Sequence, residues 1–257
     1  MPFADAEGRS IYYEIHGEGS PIVLVHGSGG NHAAWWQQVP VLREAGHAVV
    51  TLDLHGFGKS SSDFEEFDAQ RFPIDIAAVL QAADLRDAVL VGQSIGAAAS
   101  LKAALRVPER VRGVILGHSL GGIDHPELTP RVKADRAEAE KIPVLDRLLT
   151  KAFQTGNAPM TFLFRQMGTF NRATQQDLRN LATDGPTIET LAAQSFRVAF
   201  LAGELDAVIS VATISAAHEL LPASLLEVVP GAPHSMYWER PDLFNTAVIK
   251  LAAELAA

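Results

Sequence analysis

The chain has 257 residues, and 21 basic against 30 acidic side chains leave a formal net charge of −9. That balance disfavours nucleic acid and anionic membranes, both of which need a basic partner surface. Cysteine is absent, which excludes disulfides, thiolate metal sites and cysteine nucleophiles. Met1 to Glu7 has neither a basic start nor an apolar core, so no signal peptide is expected. No apolar run approaches the ~18–20 residues of a membrane span. The expectation is a soluble, cytoplasmic protein.

In chain order, residues 10–26 read as paired strands, with a turn at Gly17-Glu18-Gly19-Ser20 and a buried strand at Ile22-Val23-Leu24-Val25. A glycine-rich loop, His26-Gly27-Ser28-Gly29-Gly30, precedes a helix from about Ala33 to Ala45, where Trp35, Trp36, Val39 and Leu42 recur at helical spacing. Ala48 to Leu52 is a further strand, ending in Asp53-Leu54-His55-Gly56-Phe57-Gly58-Lys59-Ser60. A helix around Ile74 to Ala83 leads to the strand Ala88-Val89-Leu90-Val91, and strands follow at Val111 to Leu116, Arg197 to Ala202 and Leu225 to Val229. Strands alternating with helices predict an α/β fold, a mostly parallel sheet covered on both faces. Between Leu116 and Arg197 the pattern is helical, too long for a plain loop. It reads as a helical cap or lid over residues 123–192, inserted into a core formed by 1–122 and 193–257. The charged stretch Lys133 to Lys141 reads as a solvated helix face.

The strand at 88–91 runs into Gly92-Gln93-Ser94-Ile95-Gly96, and small, helix-favouring residues follow from Ala97 to Leu105. A serine between strand and helix sits on a sharp turn, where flanking glycines remove the Cβ atoms that would clash. Such a turn lifts the Ser94 hydroxyl above the sheet edge. A serine hydroxyl needs a histidine to take its proton, and that histidine needs a carboxylate. In the order serine, acid, histidine, the candidates are Asp206 and His234, each just beyond a strand and so at the edge where open α/β sheets bind ligands.

Taken together, His26-Gly27, Asp53-x-x-Gly56-x-Gly58-x-Ser60, Gly92-Gln93-Ser94-Ile95-Gly96, Gly203-x-x-Asp206 and His234-x-x-x-x-Glu239-x-Pro241 resemble the α/β-hydrolase-fold family of esterases, lactonases and cofactor-free haloperoxidases. The resemblance implies Ser94, Asp206 and His234 as catalytic residues, with backbone N–H groups of Ile95 and Ser28 as an oxyanion hole. It also implies that His26 and His55 shape loops rather than move protons. Asp124 is an alternative acid, since some relatives carry theirs after the preceding strand, and Glu204 is a weaker one.

A second Gly-x-Ser-x-Gly, Gly117-His118-Ser119-Leu120-Gly121, follows Val114-Ile115-Leu116. What comes next is Gly122-Ile123-Asp124-His125-Pro126, a loop rather than a helix, so Ser94 is favoured and Ser119 reads as a structural or pocket-edge residue. His118 and His125 flank this motif and could line a pocket. In the insertion, Phe153, Met160, Phe162, Leu163, Phe164, Met167 and Phe170 form an apolar set. Phe162 and Met167, with Trp238 and Gly27, are candidates for substrate binding.

No nucleotide-binding glycine pattern is present, no histidine–carboxylate cluster has metal-ligand spacing in sequence, and the chemistry calls for no cofactor. The expected function is a serine hydrolase for a small, largely apolar ester or lactone. Carbon–carbon cleavage of β-diketone-like substrates would use much the same residues, and so would perhydrolysis or acyl transfer. A ligand-binding or signalling protein on the same fold, with slow turnover, is the alternative from another class. Fold alone does not separate these readings.

Overall fold

The computed structural model describes residues 2–61, 67–181 and 183–257. Its strands are β1 (Phe3–Ala6), β2 (Arg9–His16), β3 (Ser20–Val25), β4 (His47–Leu52), β5 (Phe67–Asp68), β6 (Ala88–Gln93), β7 (Val111–Gly117), β8 (Leu178–Arg179), β9 (Arg197–Gly203) and β10 (Leu225–Val229). The helices are α1 (Val39–Glu44), α2 (Phe72–Ala82), α3 (Ile95–Arg106), α4 (Leu128–Glu140), α5 (Val144–Leu148), α6 (Lys151–Gly156), α7 (Ala158–Met167), α8 (Ile188–Ala192), α9 (Val211–Leu220), α10 (Met236–Glu239) and α11 (Pro241–Ala256). The main sheet runs β1-β2-β4-β3-β6-β7-β9-β10. β1 and β2 are antiparallel to their neighbours, and every pairing from β4 to β10 is parallel. This is the α/β hydrolase architecture, a mostly parallel sheet with helices on both faces.

Successive residues of the central strands enter different apolar layers. Val23, Val25, Leu90, Val114, Leu116 and Phe200 pack with α2, α3 and α9 on one face. Ile22, Leu24, Val89, Val91, Ile115 and Leu201 pack with α1 and α11 on the other. A strand with both faces buried must be apolar at nearly every position, which is why these strands are continuous Val/Ile/Leu runs. The helices between β7 and β9 divide between the layers. Leu128 and Val132 of α4 join the first, whereas Leu149, Phe153, Met160, Phe164 and Met167, from α5 to α7, join the second. α4 fully buries only Leu128 and Ala139, and its charged side chains stand largely in solvent, as the charged stretch implies.

Three local expectations are corrected. β2 and β3 are not a hairpin: β4 lies between them, pairing antiparallel with β2 and parallel with β3. β3, buried along most of its length, has parallel partners on both sides, so the turn at 17–20 only redirects the chain. The helix expected over 33–45 is a 3-10 turn at His32–Trp35 and then α1. Pro40 stands in the first turn of α1, where its missing N–H costs nothing, and a helix running through it would lose a hydrogen bond. The stretch between Leu116 and Arg197, expected to be helical, also contains the strand β8, paired in parallel with β5.

Candidate active site

The C-terminal ends of β3, β6, β7, β9 and β10 carry Gly27–Ser28, Ser94, His118, Asp206 and His234 respectively. Ser94, at φ 54° and ψ −116°, stands between β6 and α3. A non-glycine residue at positive φ is strained and persists only where its surroundings fix it. Here they do. The Ser94 N–H donates to the carbonyl of Gly117 at 2.9 Å. A Cβ on Gly96 would lie 2.4 Å from the Val25 oxygen, and one on Gly92 would lie 2.3 Å from the Gly96 oxygen. Only glycine at both positions lets β6 turn into α3 so tightly against β3.

The side chain before the serine joins two loops. Gln93 Nε2 donates to the His234 carbonyl at 3.4 Å, and its Oε1 fills the place where a Cβ on Gly27 would be, 2.0 Å away. Gly27–Ser28 therefore packs directly on the elbow, its turn closed by Gly30 N–H donating to Gly27 O at 3.0 Å. Sequence reasoning passed over Gln93, because nothing local reveals contacts made across three strand ends.

Asp206 follows β9 and His234 follows β10. His234 Nδ1 lies 2.9 Å from Asp206 Oδ2 and 3.0 Å from Oδ1. Oδ1 also accepts the N–H groups of Val208 at 2.8 Å and Ile209 at 3.1 Å, which orient the carboxylate. A second imidazole shares it: His118 Nδ1 is 3.0 Å from Oδ2. Burial alone would push the Asp206 carboxyl up; the charge of His234 and hydrogen bonds from both histidines outweigh it and hold the group well below the usual carboxylate range. All three side chains are almost fully buried.

Ligand atoms of His118, Asp206 and His234 lie within 4.8 Å of one another, close enough to hold a metal ion. Spacing in sequence gave no sign of this cluster, since its members come from three separate strand ends. In the geometry observed both imidazoles are engaged by the carboxylate through Nδ1, which makes the cluster a hydrogen-bonded one.

The comparisons with known proteins agree with this architecture. Residues 20–241 match the family model described as the alpha/beta hydrolase fold. The chain belongs to that family. A pimeloyl-[acyl-carrier protein] methyl ester esterase of Aliivibrio fischeri is 29% identical over 253 residues, covering 91% of this chain and 94% of that protein. A protein assigned as a carbamate hydrolase in Azorhizobium caulinodans is 39% identical over 116 residues. That match takes in 45% of this chain, which spans less than half of the relative, 43% of its length. Among solved structures, a thermophilic esterase from Thermogutta terrifontis superposes with a TM-score of 0.81 at 22% identity, covering 99% of this chain and 97% of that one.

Within this hydrolase-family chain the remaining candidates fall into place as follows. Ser119 Oγ accepts the Gly121 N–H at 3.1 Å, a local turn, and no helix starts before Leu128. Asp124 is exposed, and its N–H donates to Pro186 O at 2.9 Å. Glu204 accepts the Gly231 N–H at 2.8 Å and so braces the turn leading to His234. His26 Nε2 accepts the Leu54 N–H at 3.1 Å, and His55 pairs with Asp75 at 2.7 Å, both inside the fold. Met167 is buried, with its carbonyl accepting from Asn31 Nδ2 at 3.2 Å. Trp238 is buried against Phe164, ring centroids 5.4 Å apart. Phe162 presents most of its ring to solvent, at 64% exposure. No helix among the described residues is long and apolar enough to cross a membrane.

Proposed function

We propose that the chain is a serine hydrolase acting on a small, largely apolar ester or lactone through an acyl-enzyme, with Ser94, His234 and Asp206 as its triad. The observation that carries this reading is the Asp206–His234 hydrogen bond at 2.9 Å; Ser94, held at φ 54°, supports it through its chain neighbour Gln93, which donates to the His234 carbonyl at 3.4 Å. Asp206 accepts a hydrogen bond from the Nδ1–H of His234, which keeps the proton on Nδ1 and leaves Nε2 as the basic nitrogen. His234 removes the Ser94 proton as Oγ attacks the carbonyl. The backbone N–H groups of Ile95, at the N-terminus of α3, and of Ser28 receive the charge developing on the carbonyl oxygen. His234 then returns its proton to the leaving alcohol. Water, activated by the same nitrogen, releases the acyl group and restores the serine.

The helices between β7 and β9 act in this reading as a cap, and the apolar side chains of α6 and α7 that join the second layer with Trp238 favour an apolar acyl or ring group. The esterase similarity along nearly the whole chain supports ester chemistry. The test is turnover of a short-chain nitrophenyl ester and of simple lactones by the purified protein. Sustained multiple turnover is expected. A single stoichiometric burst followed by silence would favour a ligand-binding role instead.

A further inference from the structure

The second Gly-x-Ser-x-Gly sequence has no helix behind it and its serine serves a local turn, yet its histidine is buried against the proposed acid. We infer that His118 is a positioning residue for the hydrolysis proposed above: its Nδ1–H holds Asp206 in place and shares the carboxylate with His234. The inference rests on the triad reading.

An ionised carboxylate can only accept hydrogen bonds, so the proton between His118 and Asp206 resides on Nδ1. Burial keeps the His118 imidazole neutral, pushing its titration below the ordinary 6.5 even though Asp206 pulls the other way. Its Nε2 is then bare, and that atom is buried without a hydrogen-bond partner. A histidine kept for packing alone would not need to leave one ring nitrogen stranded in the interior; Nδ1 is the nitrogen in use. The backbone fixes its aim. His118 lies at φ 57°, and its N–H donates at 2.8 Å to Leu201 O, on the strand that leads to Asp206. Its ring meets that of His234 edge to face, centroids 5.6 Å apart. The titratable groups acting on it are Asp206, from the turn after β9, and His234, from the turn after β10.

Two consequences follow from chemistry. The extra donor stops the carboxylate from turning about its Cβ–Cγ bond, so that Asp206 stays aligned with His234. It also draws part of the negative charge away from His234, so the imidazolium formed during proton transfer is less stabilised and returns its proton more readily.

The experiment compares wild type, His118→Phe and His118→Asn in kcat and kcat/KM from pH 5 to 9 with a nitrophenyl ester. Phenylalanine keeps an aromatic ring, somewhat larger, without the N–H, whereas asparagine places an amide nitrogen the same number of bonds from Cα as Nδ1. In His118→Phe, kcat is expected to fall roughly ten-fold, the scale of one hydrogen bond to a charged group, with KM within about two-fold. The acidic limb of its profile moves to higher pH by roughly half a unit or more. His118→Asn restores both toward wild type. A Phe variant with wild-type kcat and profile would overturn the inference, as would an Asn variant as impaired as Phe. Should the Phe variant not fold, nitrogen-15 NMR of the wild-type imidazoles decides. The Nδ1–H tautomer of His118 should persist from pH 6 to 8, and an Nε2–H tautomer there overturns the proposal. Fluorophosphonate labelling at Ser94 separates the two failures. Labelled wild type with an unaffected His118→Phe profile sinks the positioning role alone, whereas absence of labelling sinks the triad reading itself.

Discussion

The indole N–H of Trp238 donates to the carbonyl of Met160 at 3.2 Å, tying the short helix after His234 to α7. Two further contacts reinforce this tie. Ser235 N–H donates to Leu148 O at 3.0 Å, and Glu239 accepts both the N–H and the hydroxyl of Thr150. On the far side of the site, Asn171 donates to Gly30 O at 3.0 Å and accepts the Gly58 N–H at 3.1 Å. The segment between β7 and β9 is thus fastened both to the loop of the proposed base and to the loop of the proposed oxyanion donors.

The two serine motifs make the sharpest contrast. Ser94→Ala is expected to abolish both ester turnover and fluorophosphonate labelling, and Ser119→Ala to retain them. Mass spectrometry of the labelled protein locates the adduct. An adduct on Ser119 that survives in Ser94→Ala would reverse the assignment.

The acid is tested by exchanging charge for an amide. Asp206→Asn removes the acceptor that fixes the His234 tautomer; the equivalent change in a serine protease costs ~10⁴-fold in kcat, so a loss of at least ~10²-fold is expected here. Asp124→Asn should stay close to wild type, since Asp124 is exposed. Rates compared at matched folded fraction decide the matter, and the opposite ranking would move the acid to the turn after β7.

Asn171 offers a test of the fastening. Asn171→Ala strands the Gly30 carbonyl and the Gly58 N–H, and each unmet buried group costs about 1–3 kcal/mol. A stability loss of at least roughly 1 kcal/mol is expected by denaturant titration, the low end because the asparagine is only half-buried. An unchanged unfolding midpoint would mean that water replaces the amide without cost.

Acidification should weaken the fold in two stages. Burial depresses the titration of His26 and His118 below 6.5, so the unfolded chain binds protons there more readily than the folded one. Their contribution is fully present above pH 6.5 and is lost as pH falls from 6.5 through the folded values. Asp53 and Asp206, depressed below 3.8, lose theirs only as pH falls below about 4. The melting temperature should therefore decline between pH 7 and pH 5, with a second decline at more acid pH. A melting temperature that is flat or rising from pH 7 to pH 5 would contradict the first stage.

The central strands that bear the site were legible because they are buried on both faces and must be apolar nearly throughout, as Val89, Leu90 and Val91 are; β10, at the sheet edge, is only partly buried. The elbow was legible because backbone contact at Gly92 and Gly96 permits no side chain. β1 was not: it is an edge strand of four residues, with Phe3 half exposed. The β5–β8 pairing involves two residues on each side, too few to carry a periodic signal. The bond from His118 to Asp206 spans 88 positions, and only the sheet order brings its ends together. Local chemistry marked both residues as noteworthy; topology alone made them partners.

The division of the helices between two apolar layers bears on attempts to alter substrate range. Because the backbone of the sheet separates the layers, sequence neighbours such as Leu90 and Val91 answer to different packing environments. The same partition governs the segment above the site. Random variation in α6 and α7 will be filtered by compatibility with Trp238, whereas variation in α4 will be filtered by α9, where Asp135 accepts the N–H and hydroxyl of Ser210. Libraries built on the two halves can therefore be selected separately and recombined, with the turns at His118, Asp206 and His234 held constant.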